Sequence, residues 1–203
     1  MGILPENAKV TGKVIFKGET LDQKKKERLR GTEIALVPQS VAYLDPLMRV
    51  GKQVTGCDPK KEKQKSQKEI FKRFHLDEKI ERYYPFQISG GMARRVLVST
   101  AVISNTSLII ADEPTPGLDL EMALEALKIF RELADEGKAV VLITHDIDLA
   151  FHIADRIAVF YAGTTVEMAK AEDFRKGMEE LRHPYSKALW QALPQNGFRP
   201  IPG

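Results

Sequence analysis

Only one cysteine, Cys57, occurs among the 203 residues. A lone thiol cannot build an intramolecular disulfide framework, and its scarcity is compatible with a reducing compartment, the cytosol being the default. Long apolar runs are lacking too. No stretch approaches the roughly 18–20 apolar residues that a bilayer-crossing helix needs, so a role at a membrane is expected to run through a partner. Internal repeats are missing, as are low-complexity tracts other than one lysine-rich stretch. The net charge is only +3, and much of the excess sits in Lys60, Lys61, Lys63, Lys65, Lys68, Lys72 and Arg73. Such a run is ordinarily a solvated helix face; contact with an acidic membrane surface or nucleic acid is the competing reading.

With 43% hydrophobic and 29% charged residues, the chain can bury one sizeable core with a smaller helical lobe attached. Val10 to Phe16 alternates loosely and runs into Lys17-Gly18-Glu19, a strand entering a turn. Lys24 to Arg30 is a charged helix candidate ended by Gly31, and Ile34 to Val37 is a short buried strand leading to Pro38-Gln39. Lys60 to His75 reads as a helix with Ile70, Phe71 and Phe74 on its apolar face. Ile88-Ser89-Gly90-Gly91 then feeds a helix from Met92 to Ile103. Three strand-length apolar runs follow, Leu108 to Ala111, Ala139 to Ile143 and Ile157 to Phe160. Between the first two, Leu120, Leu124, Leu127, Phe130 and Leu133 mark one helical stripe that ends near Gly137. Strand, helix and strand in succession predict parallel βαβ units and an α/β fold.

Four groups carry candidate chemistry. Leu108-Ile109-Ile110-Ala111 leads into the paired carboxylates Asp112 and Glu113, which places acids at the carboxyl end of a strand, where α/β sheets bind ligands. There an aspartate can hold Mg²⁺ and a glutamate can orient or deprotonate a water attacking a phosphate. Strand-ending acids can equally cap the next helix. Ser89, Gly90, Gly91 and Met92 offer a hydroxyl and unhindered amides at a helix start, suited to a phosphate oxyanion, although Ser-Gly-Gly is also a common turn. His145 follows the run Val140 to Thr144 and can hydrogen-bond a γ-phosphate, against the commoner structural histidine. Gln39 can ligate Mg²⁺ or position water, but a single glutamine has almost no specificity.

Taken in order, Gln39, Ser89-Gly90-Gly91, Asp112-Glu113-Pro114-Thr115, Gly117-Leu118-Asp119 and His145 resemble the motif set of ATP-binding-cassette ATPases. Met92 in place of the more usual glutamine is similar to the peptide/nickel importer branch, as are Asp45-Pro46-Leu47-Met48-Arg49-Val50-Gly51 and His183-Pro184-Tyr185-Ser186-Lys187-Ala188-Leu189. The resemblance implies a P-loop NTPase-like core with a helical signature subdomain and a remnant of an antiparallel β subdomain. It implies boundaries at residues 1–40 (β-region and Q-loop strand), 41–100 (helical subdomain with signature), 101–170 (Walker B to H-loop core) and 171–203 (C-terminal extension). On the same ground Gln39 is the Q-loop residue and a Mg²⁺ ligand, Ser89 to Met92 the signature, Asp112 the Walker B aspartate on Mg²⁺, Glu113 the catalytic glutamate, Asp119 the D-loop aspartate and His145 the switch histidine. Two cassettes would sandwich two ATP molecules head to tail, the signature of one facing the P-loop of the other. Closure would drive membrane permease subunits fed by a solute-binding protein, from the cytoplasmic face of the membrane and without nucleic acid.

One element of that set is not in the sequence. No Gly-x-x-x-x-Gly-Lys-Ser/Thr run occurs, and the Gly-Lys pairs at Gly12, Gly51 and Gly137 lack the following hydroxyl and the upstream glycine. Met1-Gly2-Ile3-Leu4-Pro5 resembles the stretch just after the P-loop helix, so the expectation is that the chain begins inside the cassette. It ends at Pro202-Gly203, where many relatives continue. Loss of the P-loop strand would expose sheet edges and core surface, and the segment alone is expected to fold poorly and bind ATP weakly. Two further readings stand beside an ATP-hydrolysing importer subunit. One is an inactive cassette that lends its signature to a partner's site, and the other is a soluble cassette acting on DNA or ribosomes, for whose usual insertions or tandem cassettes the chain has no room.

Overall fold

A computed structural model describes residues 8, 10–56, 61–104, 106–115 and 120–200. Met1 to Pro5, Cys57, Lys60, Gly117, Leu118, Asp119, Pro202 and Gly203 lie outside the described residues. Contacts divide the chain into two units, Met1–Ile143 and Thr144–Gly203.

The first unit opens on an antiparallel hairpin of β1 (Ile15–Phe16) and β2 (Glu19–Thr20). Lys17 and Gly18, at φ 50° and 81°, form its two-residue turn, a backbone whose twist matches that of the flanking strands. The strand expected from Val10 is therefore confined to two residues. Val10, Val14 and Ile15 are exposed, so no core burial rewards longer pairing. Helix α1 (Gln23–Leu29) starts where the Asp22 carboxylate accepts a hydrogen bond from the Lys25 amide at 2.7 Å, a cap that stabilises a helix end by about 1 kcal/mol.

The core sheet has three parallel strands, β3 (Ile34–Val37), β4 (Leu108–Asp112) and β5 (Ala139–Ile143), with β4 in the middle. The helix α4 (Gly90–Val102) connects β3 to β4 and packs on β3; α5 (Leu120–Asp135) connects β4 to β5 and packs on β5. Both crossovers step the same way across the sheet, so right-handed connection places both helices on one face. Ala35, Val37, Ile109 and Ala111 point to that face and are buried. On the opposite face Leu36, Val141 and Ile143 are 36%, 47% and 50% exposed. On α5 the predicted stripe buries Leu127, Phe130 and Leu133, but Leu120 is exposed, because it stands at the first turn beyond the sheet's reach. The helix ends as expected: the Lys138 and Gly137 amides donate to the Leu133 and Ala134 carbonyls at 3.1 and 2.9 Å, the bond pair of a Schellman motif.

Between β3 and α4 lies the helical lobe, formed by α2 (Val50–Thr55), α3 (Lys61–Arg73) and a short 3₁₀ turn, Glu78–Arg82. Phe71 and Phe74 are each 1% exposed, and burying such side chains contributes about 1.5–3 kcal/mol apiece. Arg73 also reaches Glu136 at 2.8 Å and Glu132 at 3.4 Å on α5, but exposed pairs of this kind contribute about 0–1 kcal/mol. Apolar packing therefore holds the lobe, and the ion pairs set its register. Lys63, Lys65, Lys68 and Lys72 lie on the exposed side of α3, the solvated-face reading of the lysine run.

At Gly51 a Cβ would stand 2.9 Å from the Glu81 carbonyl oxygen and 3.0 Å from its Cβ, so α2 and the 78–82 turn touch backbone to backbone. Gly51→Ala should lower stability by about 1–3 kcal/mol, the usual cost of overpacking. A urea midpoint for Gly51→Ala equal to wild type would show that this approach is not needed.

In the second unit, α6 (Ile147–Ile153) precedes strands β6 (Arg156–Tyr161) and β7 (Thr164–Lys170), then α7 (Ala171–Lys176) and α8 (Pro184–Gln191). The third apolar run of the sequence thus forms a strand, but it pairs antiparallel with β7 rather than joining a parallel βαβ unit. The reason is local: Ala162 and Gly163, at φ 48° and 83°, turn the chain back in two residues. Val159, Phe174 and Leu181 form the buried cluster of this unit, and the Trp190 indole N–H donates to the Phe174 carbonyl at 2.8 Å.

Glu167 ties β7 to the start of α8. Its carboxylate accepts from the Arg182 and His183 amides at 2.8 and 3.1 Å. Burial pushes its pKa up, but the neighbouring Ser186 hydroxyl, the hydrogen bonds from these amides and the charge of His183 outweigh it and leave the carboxyl below its ordinary value. A depressed folded-state pKa means a contribution that is full above the ordinary glutamate range and lost as pH falls through the lowered value. Fluorescence of Trp190, the sole tryptophan, should report α8 loosening in acid. Glu167→Gln should be looser at neutral pH and lack that part of the acid dependence; superimposable titrations would remove Glu167 from the account.

Candidate functional site

Because β3, β4 and β5 run parallel, their carboxyl ends share one edge of the sheet, and three candidate residues leave from it. Gln39 is exposed two residues beyond the end of β3. Asp112 closes β4, half-buried, in register with Ile143 of β5. Glu113 follows directly. Its amide still donates to the Ile143 carbonyl at 2.8 Å, so pairing continues one residue past the strand while the chain turns away. That turn puts Glu113 at φ 44°, a left-handed conformation that costs a non-glycine residue about 1–2 kcal/mol. Pro114 and Thr115, which follow the acids, are not helical, so neither acid stands at a helix cap. Helix capping therefore does not account for the pair.

Ser89, Gly90, Gly91 and Met92 form the start of α4, as the glycine turn suggested. The Ser89 Oγ accepts from the Met92 amide at 3.2 Å, which leaves the hydroxyl proton to donate outward. The Gly90 and Gly91 amides belong to the helix start, where no intrahelical acceptor exists. The two glycines have different reasons. A Cβ at Gly91 would lie 3.1 Å from the Met122 methyl of α5, whereas one at Gly90 would meet nothing within 4 Å. A side chain at Gly91 would crowd the movable Met122 methyl, whereas at Gly90 the space is open.

His145 lies in the second unit, exposed, in the bend before α6. The bend is held by its neighbours: the Asp146 amide donates to Thr144 Oγ1 at 3.0 Å, and Asp146 caps α6 by accepting from the Leu149 amide at 3.1 Å. Asp119 lies outside the described residues.

One residue near the carboxylates escaped the sequence reading. From α4, Arg94 Nη1 donates to the Glu113 carbonyl at 3.3 Å, and burial lowers its pKa. The available signal was spacing: Arg94 stands three residues after Gly91, on the helix face that meets α5 and Pro114. Together with Gly91, Pro114, Met122 and Glu125 it lines a cavity of about 30 Å³.

Among the described residues no cluster of three or more His, Cys, Asp or Glu side chains occurs. The donors at the sheet edge are the Asp112 carboxylate and the Gln39 amide oxygen. That sparse set fits Mg²⁺, which keeps several waters and takes phosphate oxygens as ligands. The strain at Glu113 gives a direct check: Glu113→Gly should raise stability by about 1–2 kcal/mol, roughly 2–4 °C per kcal/mol in a chain of this size, while Glu113→Gln should leave the melt unchanged. Equal melting of both variants would mean that the positive φ is not held in the folded protein.

The architecture is that of an ATP-binding cassette: it superposes with TM-score 0.69 and 28% identity, over 79% of this chain and 74% of the other, on the cassette MJ0796 in a dimeric post-hydrolysis state bound to ADP and Pi. Residues 2–116 match the sequence profile of the ABC transporter family, and the chain belongs to that family. It is 34% identical over 211 residues to the dipeptide transport ATP-binding protein DppD of Bacillus subtilis strain 168, covering 96% of this chain and 62% of that protein. The oligopeptide transport ATP-binding protein OppD of the same organism is 33% identical over 198 residues, 90% of this chain and 54% of that protein. The chain thus spans little more than half the length of the curated relatives it matches.

Proposed function

We propose that the chain is the ATP-hydrolysing subunit of an ABC importer that takes up short peptides, or nickel in the related branch, and that it acts at the cytoplasmic face of the membrane. The observation that carries this reading is the pair Asp112 and Glu113 at the carboxyl edge of the parallel sheet, with Glu113 at a positive φ. In this reading Asp112 and Gln39 hold Mg²⁺, which would neutralise phosphate charge when bound. Glu113 orients and deprotonates the attacking water, and His145 donates to the γ-phosphate. Asp119 follows as the D-loop residue. The Ser89 hydroxyl and the Gly90 and Gly91 amides donate to the phosphate of ATP held by a second cassette, in a paired arrangement like the dimeric one of MJ0796.

Three exposed apolar side chains support the permease partner in this reading. Asp45 Oδ1 accepts from the Leu47 amide at 2.8 Å, and Gln53 bridges to the Asp45 and Met48 carbonyls at 3.0 and 2.8 Å. This network fixes a loop that leaves Leu47 87% exposed, and Tyr43 and Phe86 of the same lobe are 75% and 74% exposed. Apolar side chains held out by an ordered loop favour contact with a permease subunit. A solute-binding protein would act through that permease.

A second reading, in which the chain lends its signature to a partner without turnover of its own, is supported by the open space at Gly90. The test is ATP turnover by the purified chain, alone and mixed with a P-loop-bearing partner cassette. Alone it should release no more phosphate than Glu113→Gln. Turnover in the mixture that falls at least tenfold with Gly90→Ala but persists in Glu113→Gln selects the second reading; turnover that also needs Glu113 selects the first. A mixture indifferent to both substitutions would sink both.

A further inference from the structure

We infer that Arg94 is a positioning residue for Glu113, linking the phosphate-facing start of α4 to the carboxylate at the end of β4 within one chain; the catalytic part of this inference rests on the ATPase reading above. Three observations converge on it. Glu113 holds φ 44° and is followed by a proline, whose ring disfavours helical conformations of the residue before it. Such a backbone persists only where the surroundings hold it. Both polar groups of that residue's main chain are gripped: the amide by the Ile143 carbonyl at 2.8 Å and the carbonyl by Arg94 Nη1 at 3.3 Å.

The grip comes from the helix that bears the signature. Arg94 lies five residues after the Ser89 cap, and the cavity it lines reaches from Gly91 to Pro114. A shift of α4 on engaging phosphate therefore moves a guanidinium bonded to the Glu113 peptide, and the direction of the carboxylate with it. The adjacent Arg95 has a different task. It donates to the Gly91, Phe74 and His75 carbonyls at 3.4, 3.2 and 3.5 Å, which locks α4 to the end of α3 and provides a matched control.

The test is amide hydrogen exchange by NMR on the whole chain, without nucleotide, for wild type, Arg94→Met, Arg94→Gln and Arg95→Met. Arg94→Met should raise exchange at the Glu113 amide at least tenfold relative to the Val96–Val98 and Ile109–Ala111 amides. Arg94→Gln, which keeps a donor, should restore most of the protection, and Arg95→Met should leave Glu113 unchanged. No change at Glu113, or a rise there only in step with the core amides, overturns the inference. If Arg94→Met does not fold, the comparison of Arg94→Gln with wild type decides, a local rise of twofold or more being required. In the assembled transporter Arg94→Met should lower kcat for ATP with KM unchanged. A kcat loss without an exchange change would count against positioning and leave the ATPase reading standing, whereas an exchange change in a chain that proves to have no ATPase role would keep the Arg94 link and remove only its catalytic meaning.

Discussion

The parallel pairing of β4 with a neighbour on each side is the constraint on which the first unit depends. Register fixes Ala111 against Val37 and Leu142, and Asp112 against Ile143. With successive side chains alternating, the apolar positions Ile109 and Ala111 go under the helices and Asp112 goes to the other side. The ladder then runs one residue further through the Glu113 amide. The chain cannot both keep that bond and leave in an extended conformation, so the strain falls on Glu113, whose Oε2 is itself buried.

From that strand the rest of the unit is organised through α4. Its buried side, with Val96, Leu97, Val98 and Ala101, supplies the hydrophobic attachment, worth far more than any single polar contact. Its two arginines use the polar contacts differently: Arg95 reaches back to the end of α3, and Arg94 reaches forward to Glu113. A helix whose first turn is open to an anion is thereby tied at once to the helical lobe and to the carboxylate strand. Mechanical connection of this kind is what a cassette needs if phosphate contact at one place is to be felt at another.

The second unit is built on different rules. A two-residue turn with both φ values positive closes β6 on β7, and α7 and α8 supply Phe174 and Trp190 to a small core of their own. The carboxylate of Glu167 replaces the missing partners at the start of α8 by accepting two of its preceding amides. His183 occupies the cap, its Nδ1 accepting from the Tyr185 amide at 3.1 Å. The His183-Pro184 pair is thus intelligible as cap and first helical residue, independent of any family likeness.

Much of this was legible beforehand, and for identifiable reasons. The amphipathic pattern of α5, its glycine-marked end, the serine at the start of α4 and the paired acids after Leu108 to Ala111 are properties of local sequence, because periodicity, caps and strand ends depend on residues a few positions apart. Order alone sufficed to mark the family. The partner of β6 was not legible, since an apolar run states that it will be buried but not which neighbour it pairs with. Nor was the length of β1, which depends on whether a core lies beneath it. Only the tertiary structure decided that Glu113 takes a left-handed backbone, that Gly51 is pressed against Glu81 while Gly90 is open, and that Arg94 rather than Arg95 reaches the Glu113 carbonyl. Each of these depends on a contact between segments distant in the chain, and no local pattern encodes the distance across such a contact.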